Sequence, residues 1–125
     1  MEIKVKTKYL KISPRKLRLA VNLVRGLSAS RARDLLLFQN NKSSRFVRSA
    51  ILSGIASAKA SEVNEEELVI SRIVCTDGPR LKRGKPASKG SYMPIKKRQS
   101  HIEITLSDEK IAKKLTKSKS VKKEE

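Results

Sequence analysis

Cys75 and His101 are the only cysteine and the only histidine in the chain, so they are the first residues to weigh for covalent or metal chemistry. A thiolate–imidazole pair needs the two to meet in a cleft, and a structural zinc site needs about four such ligands. The sequence around them suits neither. Cys75 sits in an apolar run and reads as a core residue. His101 opens a second, alternating run on its polar side and reads as structural or as facing a bound partner. The acids fall in loops with no patterned partner, and there is no glycine-rich phosphate loop. No catalytic residue, metal site or cofactor is expected.

What the sequence does concentrate is positive charge. Residues 79–100 hold eight basic side chains and no acid: Arg80, Lys82, Arg83, Lys85, Lys89, Lys96, Lys97 and Arg98. Rows of ammonium and guanidinium groups are suited to phosphates. The whole chain agrees, with 30 Lys and Arg against 12 acids and a net charge of +18. So large a charge opposes compaction unless a polyanion neutralises it, which makes nucleic acid the first partner class and an anionic membrane surface the second. No apolar run approaches the ~20 residues that span a bilayer. The alternating start, Met1 to Lys6, lacks the apolar centre of a signal peptide. A lone cysteine excludes an internal disulfide and fits a reducing compartment, so a cytoplasmic location is expected. Aromatic residues make up 3% of the chain, with no tryptophan, which weighs against single-strand binding by base stacking. Phosphate and groove contacts on a folded RNA fit better.

These cations need a scaffold, and 125 residues suffice for one domain. Residues 2–8 read as a short strand with Ile3 and Val5 on one face. Ser13-Pro14 starts a helix, with serine capping the free amides and proline at the first helical position. Leu17, Ala20, Val21 and Val24 form its buried stripe, while Arg15, Arg18, Asn22 and Arg25 lie on another face. Gly26 follows at the C-terminal capping position. A second helix is expected over Ser30–Phe38, capped by Ser28 or Ser30, with Ala32, Leu35 and Leu36 inward. A third runs from about Lys42 to Ser61, burying Val47, Ala50, Ile51, Gly54 and Ala58, with Arg45, Arg48 and Lys59 outside. Its small residues permit close approach by a neighbour.

Residues 62–67 gather four of the twelve acids and read as a solvated loop turned away from the polyanion. Leu68–Thr76 is rich in β-branched residues and reads as a strand, as does 101–106, where Ile102, Ile104 and Leu106 alternate with polar residues. The fold class is therefore α+β: three helices packed on a small antiparallel sheet, with a long protruding β-hairpin. Residues 1–107 form a single domain, and the lysine-rich residues 108–125 form a tail expected to be disordered when free.

The hairpin is inferred from what flanks residues 79–100. Leu81, Ala87, Tyr92, Met93 and Ile95 show no shared period along the segment, so it cannot bury enough apolar surface to order itself. The strands on both sides can pair, and Pro86, Ser88, Gly90 and Ser91 supply turn residues near its middle. Extended arms would carry the tip, Ser88, Lys89, Gly90, Ser91 and Tyr92, on the order of 35 Å outward at ~3.3 Å per residue. An isolated ribbon is marginal in water and calls for a partner along its length.

Ile12-Ser13-Pro14-Arg15-Lys16-Leu17-Arg18 followed by Val24-Arg25-Gly26 resembles the universal large-subunit ribosomal protein twenty-two family. The likeness continues at Ala56 to Ala60, at Asp77-Gly78-Pro79-Arg80-Leu81-Lys82-Arg83, at Pro86 and Lys89-Gly90, and at Lys97 to Ile102. It covers about residues 2–107. The resemblance implies a structural constituent of the large ribosomal subunit that binds large-subunit ribosomal RNA and supports assembly. It implies a hairpin lining the nascent-peptide exit tunnel, with neighbouring ribosomal proteins and the nascent peptide near the tip as further partners. The RNA-binding set is then Lys8, Lys11, Ser13, Arg15, Lys16, Arg18 and Arg25 on the globular part, with the eight hairpin cations. Gly90 would allow close backbone approach at the tip. No homo-oligomer and no membrane partner are expected. The sequence departs from the family pattern at Thr76-Asp77, Gly84, Lys85, Ala87, Ser91 and Tyr92-Met93-Pro94.

Two rival classes are weaker. Ser13-Pro14-Arg15-Lys16 looks superficially like a Ser-Pro-basic-basic motif for a DNA minor groove, but here it opens a helix with an apolar stripe. A membrane-surface peptide is weaker still, because the basic hairpin is expected to lack an apolar face.

Overall fold

The computed structural model describes residues 2–108. Its elements are β1 (Glu2–Leu10), α1 (Pro14–Val24), α2 (Ala29–Phe38), α3 (Lys42–Ala60), β2 (Leu68–Pro86) and β3 (Tyr92–Asp108). The sheet is antiparallel in the order β1-β3-β2. Three helices on a small sheet with a long β2–β3 hairpin match the α+β expectation; the tail expectation concerns residues outside those described.

The core lies between the helices and one face of the sheet. Leu17, Val21 and Val24 of α1, Val47 and Ile51 of α3, and Ile102, Ile104 and Leu106 of β3 are all at most 1% exposed. Gly54 of α3 shows how tightly α3 approaches the sheet. A Cβ there would lie 2.7 Å from Leu106 Cδ1 and 3.4 Å from Val5 Cγ2, so the missing side chain is the space Leu106 fills.

Side chains of a strand alternate between faces, so one inserted residue reverses the pattern. The sheet uses this three times. In β2, Leu68 and Ile70 face the core, then Ile73 and Cys75, because the register against β3 shifts between Ile70 and Arg72. In β1, Ile3 and Leu10 are both buried across a shift between Thr7 and Leu10, with Tyr9 taking a positive φ of 58°. The third shift lies between Asp77 and Arg80 at the root of the hairpin.

Some local expectations need correction. The Ser13 side chain makes no capping hydrogen bond; its carbonyl accepts from the Leu17 amide at 3.2 Å, and Pro14 supplies the helix start. The α2 helix begins at Ala29, with Ser28 in the capping position and likewise no side-chain cap. Leu35 and Arg48 are half-buried rather than fully in or out, and Arg48 Nε has no hydrogen-bond partner among the described residues. The 62–67 segment is more than a solvated loop. Glu65 is tied to Arg33 at 2.9 Å and Lys59 at 3.1 Å, which fastens the end of α3 to α2.

On the open face of the sheet Lys6 pairs with Glu103 at 2.6 Å. The hydrogen bond from Lys6 is the first reason the Glu103 carboxyl lies below its ordinary 4.5. A depressed carboxylate stabilises the fold above its unfolded pKa, and that contribution is lost as pH falls through the folded value. Glu103→Gln is therefore expected to lower the melting temperature slightly at neutral pH and not below the carboxylate range. Melts across that range check it; a pH-independent difference would contradict the pairing.

Candidate nucleic-acid interface

The hairpin leaves the domain through a braced joint. Asp77 pairs with Ser100 in the ladder, and the next paired residues are Arg80 and Arg98. Gly78 occupies the gap: a Cβ there would come 3.0 Å from the Gln99 carbonyl carbon, a backbone atom that cannot give way. Ser100 Oγ is buried and donates to the Ile12 carbonyl at 3.0 Å. Arg18 Nη2 donates to Asp77 Oδ1 at 3.2 Å, and the Tyr9 amide donates to His101 Nδ1 at 2.9 Å. The Tyr9 and His101 rings also meet edge to face at 5.1 Å. His101 is thus a structural acceptor that holds the β1 bulge.

Beyond the joint, Arg80↔Arg98 through Pro86↔Tyr92 form an unbroken ladder of seven pairs. From Asp77 to Pro86 the arm reaches on the order of 30 Å at ~3.3 Å per residue. The turn closes through the Ala87 amide to the Ser91 carbonyl at 2.9 Å and Ser91 Oγ to the Ser88 carbonyl at 2.8 Å. Lys89 and Gly90 both take positive φ, 55° and 70°. A Cβ on Gly90 would meet nothing within 4 Å, so within the chain this glycine serves the turn's conformation, not a close approach.

Register assigns the hairpin side chains to two faces. Arg80, Lys82, Lys96 and Arg98 share one face near the root, and Gly84, Pro86, Tyr92 and Pro94 continue that face toward the tip. Leu81, Met93 and Ile95 share the other with Arg83, Lys85 and Lys97. The apolar residues therefore do have a common face, which their spacing along the chain conceals because they come from both arms. Cations interrupt that face at every pair. Gly84 and Tyr92 explain each other: any side chain at Gly84 would collide with the Tyr92 ring, which lies across it. An aromatic covering a strand glycine restores packing where the backbone would otherwise be bare.

The anticipated contact residues divide by exposure and pairing. Lys8, Lys11, Arg15 and Lys16 on the globular part are exposed, as are all eight hairpin cations. Ser13 is half-buried. Arg18 and Arg80 share Asp77, the latter at 4.0 Å, and Arg25 Nη2 donates to the Ile73 carbonyl at 3.5 Å. Arg18 and Arg80 thus brace the joint, and Arg25 ties the end of α1 to β2 below it. A groove of about 1070 Å³ runs between α1, the α2–α3 turn and the hairpin root. Lys11, Lys16, Lys96, Lys97 and Arg98 line it, joined by Lys42, which lay outside the anticipated set because the α2–α3 turn gives no sign of folding back toward the hairpin.

Cys75 is buried beside the Pro14 carbonyl, and burial pushes its thiol up from the ordinary value. It is far from a reactive thiolate. Among the described residues no cluster of three His, Cys, Asp or Glu could hold a metal ion, and no helix is long and apolar enough to cross a membrane.

Known proteins share much of this sequence. The family model for ribosomal protein L22p/L17e matches residues 5–107, from β1 to the inner end of β3. The chain belongs to that family. A Fusobacterium nucleatum relative named large ribosomal subunit protein uL22 is 42% identical over 110 residues, covering 87% of this chain and 99% of the relative. A Staphylococcus aureus protein of the same name is 38% identical over 111 residues, covering 88% and 95%. An L22p/L17e protein is a structural ribosomal constituent, and the chain is not an enzyme. Within the L22p/L17e match lie both arms of the hairpin, its turn and the joint at Gly78.

Proposed function

We propose that the chain is a constituent of the large subunit of the cytoplasmic ribosome, where it binds large-subunit ribosomal RNA with the start of α1 and the whole hairpin. In this role the hairpin threads into the RNA, supports assembly, and lines the nascent-peptide exit tunnel with the tip from Ser88 to Tyr92. Neighbouring ribosomal proteins and the nascent peptide are its further partners, and it acts as a single copy. Residues 1–107 work as one domain.

The observation that carries this reading is the hairpin itself: hydrogen-bonded along its length, uncovered on both faces, and holding eight cations with no acid. A ribbon so exposed gains stability from a polyanion wrapped around it, and the absence of an aromatic row favours phosphate contacts on folded RNA. The isolated protein is expected to bind structured RNA with an affinity that falls by about 0.9 log units per log unit of salt for each duplex phosphate neutralised. Titrations over a salt series against structured RNA and random duplex DNA measure it. Equal or tighter binding to the DNA would contradict the ribosomal role.

A further inference from the structure

The groove at the hairpin root differs from the rest of the basic surface in having an apolar floor. Leu19 and Leu23, one turn apart on α1, are 70% and 45% exposed, and Leu81 on β2 is 40% exposed. All three line the groove. Phosphate contacts draw nothing from uncovered leucines; three gathered in one concavity lower the free energy only when an apolar surface covers them. The walls carry Gln39, Asn41 and Gln99, amides able to donate and accept. Gln39 Oε1 accepts from Ser44 Oγ at 3.2 Å, which leaves its amide nitrogen to donate. The rim carries Lys11, Lys16, Lys42 and Lys97, with Lys96 and Arg98 on the ribbon face opposite Leu81, and among the described residues no acid lines the groove.

Floor, walls and rim correspond to three parts of an unpaired nucleotide: the flat apolar face of its base, the polar edge, and the phosphates on either side. A continuous duplex offers only the third. An acidic peptide could satisfy floor and rim, but three amides beside the floor match a base edge more fully than they match a carboxylate. The volume is ample for one nucleotide with its flanking phosphates.

We propose that this groove seats one unstacked nucleotide of a structured RNA, its base on Leu19, Leu23 and Leu81 and its phosphates on the lysine rim. The seat rests on the RNA-binding role proposed above and adds to it a preference for an interrupted helix. It also joins α1 to the hairpin root through one ligand, so that RNA binding fixes the angle at which the hairpin leaves the domain.

The test uses the full chain and two probes: an RNA hairpin with one bulged fluorescent purine, and the same hairpin fully paired. At one salt concentration the bulged RNA is expected to bind about tenfold tighter, with a change in purine fluorescence on binding. Leu19→Ser with Leu23→Ser should remove most of that preference and leave affinity for the paired RNA within about twofold. Leu81→Ser, outside the core, repeats the test should the α1 variant melt early. Lys96→Gln with Lys97→Gln should weaken both RNAs alike. Equal affinity of the unaltered chain for the two RNAs overturns the seat, as does a retained preference in the leucine variants. Leucine variants that bind both RNAs normally yet fail to enter large subunits overturn it too, by assigning the groove to a protein neighbour. If neither RNA is bound better than duplex DNA, the RNA-binding role itself has failed.

Discussion

Replacing residues 82–98 by a short Asn-Gly turn is expected to leave a folded domain that has lost most of its hold on RNA. The segment carries seven cations, Lys82, Arg83, Lys85, Lys89, Lys96, Lys97 and Arg98. If each meets one duplex phosphate, its removal makes the log–log salt dependence shallower by about 6 and lowers affinity at moderate salt on the order of a thousandfold. None of those residues contributes to the core, which ends at Cys75 on β2 and resumes at Ser100 on β3. The melt should therefore stay cooperative, with a midpoint near that of the full chain. Calorimetry with a salt-series titration separates the two effects. A broad, non-cooperative melt would show that the hairpin supports the core; an unchanged salt slope would show that its cations do not face RNA.

The second large effect runs the other way, through the core with no cation touched. Leu106 is fully buried, and its Cδ1 fills the space left by Gly54. Leu106→Ala should cost about 2–5 kcal/mol, the range for emptying such a site. For a domain this size that lowers the melting midpoint by roughly 10–20 °C. Gly54→Ala alone should force Leu106 to shift, because its Cβ would press on Leu106 Cδ1 at 2.7 Å, which offsets the roughly 1 kcal/mol that alanine gains over glycine in a helix. In the Leu106→Ala background the same change puts a methyl into the cavity and should recover part of the loss. A double-mutant cycle reads this as a coupling between the two sites. Additive losses would contradict the packing of α3 on β3. Below its melting midpoint the Leu106→Ala domain should still bind RNA as the unaltered chain does.

Helices were legible where a stripe of one period faces one core: the buried positions anticipated for α1, and Val47, Ala50, Ile51, Gly54 and Ala58 of α3, are all buried, while the equally buried Pro14, Ser44 and Ile55 were missed. The two late strands and the hairpin between them were legible because β-branched runs flank a segment with no core of its own. The bulges were not. Leu68 and Ile70 fall on even numbers and Ile73 and Cys75 on odd ones, yet all face the core, and only the partner strand reveals the inserted residue. For the same reason the shared face of Leu81, Met93 and Ile95 was hidden: it joins residues from two arms, and sequence spacing describes only one. The cations of the interface were legible as charge, but not which of them also tie elements of the fold together. Arg18 and Arg25 look like any other basic residue on α1 until Asp77 and the Ile73 carbonyl are seen beside them. Lys42 and the apolar floor of the groove depend on the α2–α3 turn lying near the hairpin root, a long-range fact no local pattern encodes.

Ribosomal RNA as the partner that completes the exposed hairpin is tested most directly by sedimentation. The full chain and the 82–98 deletion are mixed with large ribosomal subunits depleted of this protein and spun through a high-salt gradient. The full chain should travel with the particles and be released by ribonuclease, while the deletion stays near the top. A full chain that stays at the top, or a deletion that travels with the particles equally well, would contradict it.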